Sequence, residues 1–432
     1  MRTNRLSSTI SREAVMSRYS RRDLVRRAAA LGVSVPALTA LLAAEARAQA
    51  TPGASPVAAP PEGDPIRIGA SVSTTGTNGR TGLYQQEAYL LWEAQKNASG
   101  GVLGRPVEMV IYDDQSDPTT GSRLYEKLIT EDEVDLVLGP YSSGVTLAAA
   151  QITDRYGYPM LVAGASAGEI WDSGLQYVFG VYSIAQDYFK DIVLNIAPAQ
   201  EYTTAAVIYE DAVFPTSTGQ GAVAHCAEAG IEVVLEEAYP QKATDVSSVL
   251  TKIRDLNPDM LIGGSYLPDS VLIMRQAKEL GVNAKLFAFS VGAAQPDFFE
   301  TLGVDANYVL GPSMWEPEIE TEGNQEFFDA YMEMHGREPD YHAATGYAGC
   351  MILERAVTDG GDLDLETLRE TLLGLTMTTI LPGEYSVDET GKQIGHIPLT
   401  VQWQDGEKVL VAPEDLKNGD LFLPTPTWEE RG

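Results

Sequence analysis

From Ile66 onward, short and nearly continuous apolar runs alternate with segments whose apolar residues recur at helical spacing. This is the pattern of a mostly parallel sheet buried on both faces by helices. The runs at 66–72, 107–112, 134–138 and 160–163 read as strands, and so do those at 205–209, 231–235, 260–263 and 286–289. Between them, Val145, Ala148, Ala149, Ile152 and Tyr156 form one helical stripe. Val246, Val249, Leu250 and Ile253 form another, opened by Thr244-Asp245 as an N-cap and closed by Asn257-Pro258. Near the C-terminus the period changes to two. Leu399, Val401 and Trp403 interleave with Thr400, Gln402 and Gln404, and Asp405-Gly406 turns the chain into 408–411, which predicts a hairpin. Two successive sets of alternating strands and helices predict an α/β protein of two lobes, with a boundary near 182–186 and a ligand cleft between them.

Length agrees, since 432 residues exceed what one hydrophobic core usually serves. Charge adds a constraint on partners. The chain carries 30 Lys+Arg against 61 Asp+Glu, and residues 1–50 alone hold nine basic and three acidic side chains, so the body that follows stands at −37. Such a surface repels phosphate backbones and anionic lipid, and nucleic acid is not expected as a partner. The basic N-terminus has its own pattern. Ser20-Arg21-Arg22-Asp23-Leu24-Val25-Arg26 precedes a mildly apolar run at 28–44, and Ala46-Arg47-Ala48 and Ala48-Gln49-Ala50 follow. These are the parts of a cleavable signal peptide of the twin-arginine type over 1–50, which predicts an exported protein. Residues 51–65, rich in Pro, Ala and Gly, read as a disordered tether. No cysteine lies near the cleavage point to take a lipid, and Cys226 and Cys350 read as two buried free thiols.

Ligands of open α/β sheets sit at the carboxyl ends of the strands, where helix N-termini present free backbone N–H groups. Here those ends are small and polar. The first strand leads through Ser73-Thr74-Thr75-Gly76 towards Thr81, and the third into Gly139-Pro140-Tyr141-Ser142-Ser143-Gly144. The fourth leads into Gly164-Ala165-Ser166-Ala167-Gly168, and the run at 286–289 into Ser290. Such loops predict a pocket of hydroxyls and amides without a positive side chain, suited to a carboxylate or an amide. Each charge-assisted hydrogen bond there contributes about 1.5–3 kcal/mol. Tyr141, Phe214, Tyr266 and Trp315 lie near strand ends or the hinge and are candidates to sandwich a flat or apolar ligand. The plain alternatives are helix caps for the serines and core packing for the rings.

Gly164 to Gly168 also fits the nucleophile-elbow pattern G-x-S-x-G, which makes a serine hydrolase the rival reading. Its context is wrong. Asp172-Ser173-Gly174 interrupts the helix an elbow should feed, and none of His225, His335, His342 and His396 stands in a context that marks it as a base. The chain is therefore read as a non-enzyme. No His or Cys pair has zinc spacing, and Asp113, Asp114 and Asp117 lack the Gly and Glu of a calcium loop and read as a solvated turn. Neither a metal nor a cofactor is expected.

The segments IRIGASVSTTGTNGRTG, NASGGVLGRPVEMVIYDDQSDPTTG, VDLVLGPYSSGVTLAAA and YPMLVAGAS, in this order, resemble the periplasmic solute-binding proteins of ABC importers, in the branched-chain amino acid (leucine/isoleucine/valine) and amide class. The likeness runs on through VIYEDAVFPTSTGQGA and TDVSSVLTKIRDLNPDMLIGG to IPLTVQWQDGEKVLVAP. The resemblance implies a type I periplasmic binding fold, two Rossmann-like lobes joined by a three-strand hinge, with 66–184 and 314–382 in lobe 1 and 185–313 and 383–432 in lobe 2. It implies capture of a small organic ligand (amino acid, amide or aromatic acid) by hinge closure, delivery to a membrane permease, and a monomer. A ligand-sensing subunit of a signalling system is the alternative role. By resemblance, Ser142 is the serine that holds a ligand carboxylate, with Ser143 beside it. Gly164 and Ser166 complete the first-lobe pocket, and Tyr266 is a second-lobe aromatic. One departure stands out. Amino-acid binders carry an acid after the strand at 286–289 to hold the ligand ammonium, whereas this chain has Ser290-Val291-Gly292-Ala293. Either Glu210, Asp211 or Asp269 substitutes, or the ligand is not an amino acid.

Overall fold

A computed structural model describes residues 59–431. The signal peptide expected over 1–50 lies outside this range, as do all residues before 59. The first of two sheets is parallel throughout, with order β2-β1-β3-β4-β5. It comprises β1 (Ile66–Val72), β2 (Val107–Asp113), β3 (Leu136–Leu138), β4 (Met160–Val162) and β5 (Val178–Gly180). The second has order β12-β11-β10-β9-β8-β6-β7. Its parallel part is β6 (Thr204–Glu210), β7 (Glu232–Tyr239), β8 (Met260–Gly264), β9 (Leu286–Phe289) and β10 (Leu310–Ser313). The hairpin β11 (Leu399–Gln404) and β12 (Glu407–Ala412) adds an antiparallel edge, turning at Asp405 and Gly406, both at positive φ.

The α-helices of four or more residues are α1 (Gly79–Ala98), α2 (Pro118–Thr130), α3 (Ser143–Tyr156), α4 (Glu169–Asp172), α5 (Val213–Ala229) and α6 (Ser247–Leu256). They continue with α7 (Leu267–Leu280), α8 (Pro296–Leu302), α9 (Asn324–His335), α10 (Tyr341–Gly360) and α11 (Leu365–Gly374). Side chains alternate across each strand, so an inner strand can feed two cores. In β3, Leu136 and Leu138 face the core that holds Trp92 of α1 and Leu353 of α10, while Val137 faces Leu128 of α2 and Ile152 of α3. In β6, Ala206 and Ile208 pack with Leu261 and Phe287, while Ala205 and Val207 pack with Met260 and Leu286. Burial on both faces is why these strands read as continuous apolar runs.

Local signals fix the ends of elements. Asp245 accepts a hydrogen bond from Ser247 N–H (2.8 Å) at the start of α6, and Asn257 closes it in the left-handed region at φ 49°. Four expectations differ. Tyr156, at the end of its stripe, is 39% exposed, because it lies past the last turn that the sheet covers. Residues 62–65, expected within the tether, join the fold instead, since Glu62 N–H donates to Gly104 O (2.9 Å). Residues 383–398, expected with the second lobe, run along the first sheet: Gly180 N–H donates to Gly391 O (2.8 Å) and Gln393 Nε2 to Val181 O (3.1 Å). The DDQSDP turn is not simply solvated. Asp114 is buried and accepts from Ser71 Oγ (2.8 Å) and Ser73 Oγ (2.5 Å), and Asp117 caps α2.

The chain passes between the sheets after β5, after β10 and again before β11. Buried His396 joins these passages. Its Nδ1 is 2.8 Å from Ser183 Oγ and its Nε2 3.0 Å from Met314 O. Burial pushes its pKa down to about 4, against the smaller opposing effect of the Met314 carbonyl, so the ring is neutral at physiological pH. Cys226 and Cys350 are both free and buried, in different cores. No helix among the described residues is long and apolar enough to cross a membrane.

Candidate functional site

Four helix N-termini meet at one cavity between the sheets. Ser142 is the N-cap of α3, Phe214 sits in the first turn of α5, Tyr266 is the N-cap of α7, and Tyr341 and His342 open α10. Helix N-termini carry partial positive charge and unpaired N–H groups, so their convergence favours an anionic or strongly accepting ligand group. The space is narrow in this conformation, about 210 Å³ between the lining atoms with part of it open to solvent.

Its wall is aromatic. Tyr141, Tyr182, Tyr188, Phe214, Tyr266 and Tyr341 line it, together with Ser142, Ser143, Gly164, Ala165, Ser166, Val291 and His342. The rings form a chain of contacts: His342 to Tyr141 (centroids 5.1 Å), Tyr141 to Tyr266 (6.4 Å), Tyr266 to Phe214 (5.4 Å) and Phe214 to Tyr188 (5.3 Å). Burial raises every phenol on this wall, Tyr188 to about 12, so all remain neutral donors.

The serines do different jobs. Ser143 Oγ accepts from the N–H groups of Ser166 and Ala167 (3.2 Å each) and so fastens the two first-sheet loops together. Ser166 Oγ donates to Tyr188 Oη (3.0 Å). Ser142 makes no side-chain capping bond, and its hydroxyl lies on the cavity wall beside the Tyr266 hydroxyl. Gly164 lines the wall because nothing larger fits, as a Cβ there would collide with the Gln85 side chain and lie 2.7 Å from Pro140 O. Among the described residues, no hydrogen bond links a serine of this cavity to His342.

Seven of the ten residues singled out from sequence thus reach the wall: Tyr141, Ser142, Ser143, Gly164, Ser166, Phe214 and Tyr266. Three do not. Trp315 is packed edge-on to Phe327 and donates from Nε1 to Asn324. Ser290 exchanges hydrogen bonds with the Ser265 backbone (2.9 Å each). Thr81 receives Gln295 Nε2 (3.3 Å) outside the cavity. The loop after β1 does not contribute to the wall, and its Ser73 hydroxyl turns to Asp114 Oδ1 (2.5 Å) and the Tyr141 carbonyl (2.7 Å). Sequence reasoning missed Tyr182, Tyr188, Tyr341 and His342. The expectation of a pocket without a side chain able to carry positive charge is corrected by His342.

The sequence profile of the family described as "Periplasmic binding protein" matches residues 65–408. The chain belongs to this family. Among its relatives, "Leu/Ile/Val-binding protein homolog 7" of Brucella suis is 28% identical over 346 residues, covering 76% of this chain and 86% of that protein. The fold is the type I periplasmic binding fold of two solved structures. The branched-chain amino acid transporter substrate-binding protein LivJ of Streptococcus pneumoniae, in complex with isoleucine, superposes with a TM-score of 0.73 at 21% identity, covering 81% of this chain and all of that one. A solute-binding protein of an ABC transporter from Rhodopseudomonas palustris, in complex with 3,4-dihydroxybenzoic acid, superposes with a TM-score of 0.70 at 23% identity, covering 80% and 95%.

Within this family frame, the position of the acids matters. None lines the aromatic cavity. Asp211 is exposed. Glu210 lines a second, adjoining cavity, open to solvent, that shares Ser142 and Tyr266. Burial raises the Glu210 carboxyl, opposed by the Lys242 N–H at 3.2 Å and the Lys242 charge. Asp269 is buried in the first turn of α7, and burial, with Glu210 adding repulsion, pushes it up to about 7. The Tyr239 hydroxyl, whose own pKa burial raises with Asp269 and Glu210 adding to it, is buried without a partner. The two halves also touch through polar groups at one edge: Arg80 Nε to Asp297 (2.7 Å), Tyr84 Oη to Asp297 (3.3 Å), and Gln295 Nε2 to Asp340 Oδ2 (2.8 Å).

Proposed function

We propose that this chain is the extracytoplasmic solute-binding component of an ABC importer and that its ligand is a small aromatic carboxylate. The observation that carries this reading is the make-up of the wall: six aromatic rings, the Ser142 hydroxyl and converging helix N-termini, with no carboxylate. A flat ring gains stacking and burial against such a wall, and its carboxylate meets N–H groups and hydroxyls. An α-amino acid would bring an ammonium into a cavity without an acid, at the cost of an unpaired buried charge. The dihydroxybenzoate complex of a protein of the same fold supports the reading.

The ligand binds first to the loops that carry Ser142 and Ser166. Phe214, Tyr266 and Val291 then close from the second half. Only contacts made to both halves at once favour the closed form, so binding is a population shift towards closure. The closed, monomeric protein, exported by the twin-arginine route, delivers its solute to the membrane permease.

Glu210 favours a second reading, an amino acid whose ammonium reaches into the adjoining cavity. Calorimetry on the full chain with benzoate, 3,4-dihydroxybenzoate and isoleucine separates the two. Micromolar binding of an aromatic acid, about −8 kcal/mol, is expected, with isoleucine at least a hundredfold weaker. The reverse ranking replaces the aromatic-acid reading with the amino-acid one. Uptake of the same acid by cells with and without the gene distinguishes import from sensing.

A further inference from the structure

His342 is the one side chain on the cavity wall able to carry a positive charge. It is 2% exposed, stacks on Tyr341 (centroids 3.9 Å, 28°) and stands edge-on to Tyr141 (5.1 Å, 83°). Its Nδ1 is 2.9 Å from Asp340 Oδ2, while among the described residues no group hydrogen-bonds Nε2. Asp340 is fully buried. Besides His342 it receives the N–H groups of His342 (2.9 Å) and Ala343 (3.1 Å) and Gln295 Nε2 (2.8 Å), all neutral donors. The imidazole is thus the single cation available to a carboxylate withdrawn from water. Burial opposes ionisation of Asp340 most strongly, yet the His342 charge and hydrogen bond, the Gln295 amide and the backbone N–H together hold its carboxyl below the usual range. The neighbouring titratable groups are phenols, Tyr341 on the same helix, Tyr141 before α3, Tyr84 of α1 and Tyr331 of α9, all of which burial keeps neutral.

We infer that His342, fixed by Asp340 through Nδ1, is the determinant by which this site prefers an anionic solute to its neutral isostere, presenting Nε2–H to the cavity as a charged donor. An imidazolium paired with Asp340 is neutral as a unit, so an incoming carboxylate adds the charge that the four helix N-termini already favour. The pair also reaches the other half of the molecule. Gln295, which touches Asp340, lies between β9 and α8, so the group that reads ligand charge is tied to a contact made when the halves meet. Asp340 is here a positioning residue, since it acts through His342.

The inference rests on the aromatic-carboxylate reading, and its test separates the two. Affinities of benzoate and benzamide are measured by calorimetry for the full chain and for His342→Phe and His342→Gln. The first variant keeps the packing on Tyr341 and Tyr141, and thermal melting checks that both fold. The parent should prefer benzoate. His342→Phe should lose at least tenfold in benzoate affinity with benzamide changed less than threefold, and His342→Gln should lie nearer to His342→Phe than to the parent. Benzoate affinity unchanged in a folded His342→Phe protein overturns the inference and leaves the proposed function standing. Should isoleucine bind in place of the aromatic acids, the proposed ligand class is wrong, and isoleucine against isoleucinamide then decides the role of His342 by the same ratio. With only four histidines in the chain, nitrogen-15 spectra of the complex give an independent readout. Both ring nitrogens of His342 should carry protons, and an unprotonated Nε2 overturns the inference.

Discussion

Asp269→Asn probes the buried acid in the first turn of α7. Burial, with Glu210 adding repulsion, moves the Asp269 carboxyl from 3.8 to about 7. A carboxyl raised in this way is protonated in the folded chain at a pH where the unfolded chain has released the proton. Its contribution to stability is therefore fully present below about pH 3.8 and lost as the pH rises to about 7. About three pH units at roughly 1.36 kcal/mol each put the loss near 4 kcal/mol above pH 7. Asparagine keeps the shape and cannot ionise. The variant should thus be more stable than the parent by up to about 4 kcal/mol near pH 8, with the gain vanishing near pH 4. His396 acts in the opposite sense. Pushed down from 6.5 to about 4, it contributes stability above pH 6.5 that is lost as the pH falls to about 4. By the same conversion this amounts to about 3 kcal/mol. The two effects partly cancel in the parent, so the difference between variant and parent, measured by urea unfolding at three pH values across this window, isolates Asp269. A difference that does not change with pH would refute the assignment.

Two further substitutions separate wall from core. Ser142→Ala combined with Ser166→Ala should weaken binding of the best aromatic acid at least tenfold, about 1.4 kcal/mol or more, with little change in the urea midpoint; unchanged affinity in calorimetry would remove these hydroxyls from the site. Trp315→Ala should do the reverse, costing about 3–5 kcal/mol of stability while leaving the ranking of ligands as it was. Trp315 is 1% exposed and holds Asn324 at the start of α9, so a changed ranking would place it in the site after all.

The strands were legible for a simple reason. The inner strands are covered on two faces, so β1, β6, β8 and β9 show as apolar runs whatever their neighbours do, and the turn at Asp405-Gly406 marks the hairpin through its need for positive φ. β5 and β10 were missed as strands because three and four residues are too short to carry a period, and β10 reads Leu-Gly-Pro-Ser. What holds these two in place is supplied from elsewhere: β5 by β4 and by the 391–393 segment, β10 by β9 and β11. No local window contains that information.

The site divides along the same line. Tyr141, Ser142, Gly164 and Ser166 lie at the ends of strands that the sequence shows, and the general rule for open sheets puts a ligand there. Tyr341 and His342 come from nearly 200 residues later in the sequence and reach the wall because α10 packs on α1 with its N-terminus beside the tip of β3. One signal was present. Asp340 two residues before His342 at a helix start is an N-cap that can also hold a ring nitrogen, and its carboxylate does both. Sequence cannot tell that this cap is buried, and burial is what changes its chemistry. An exposed Asp-x-His pair is solvated and neutral in effect, whereas a buried one must balance its own charge and leaves Nε2 with no outlet except the cavity. The serine loops supply donors that accept an amide almost as readily as a carboxylate. Discrimination by charge therefore falls to the residue that arrives last in the chain.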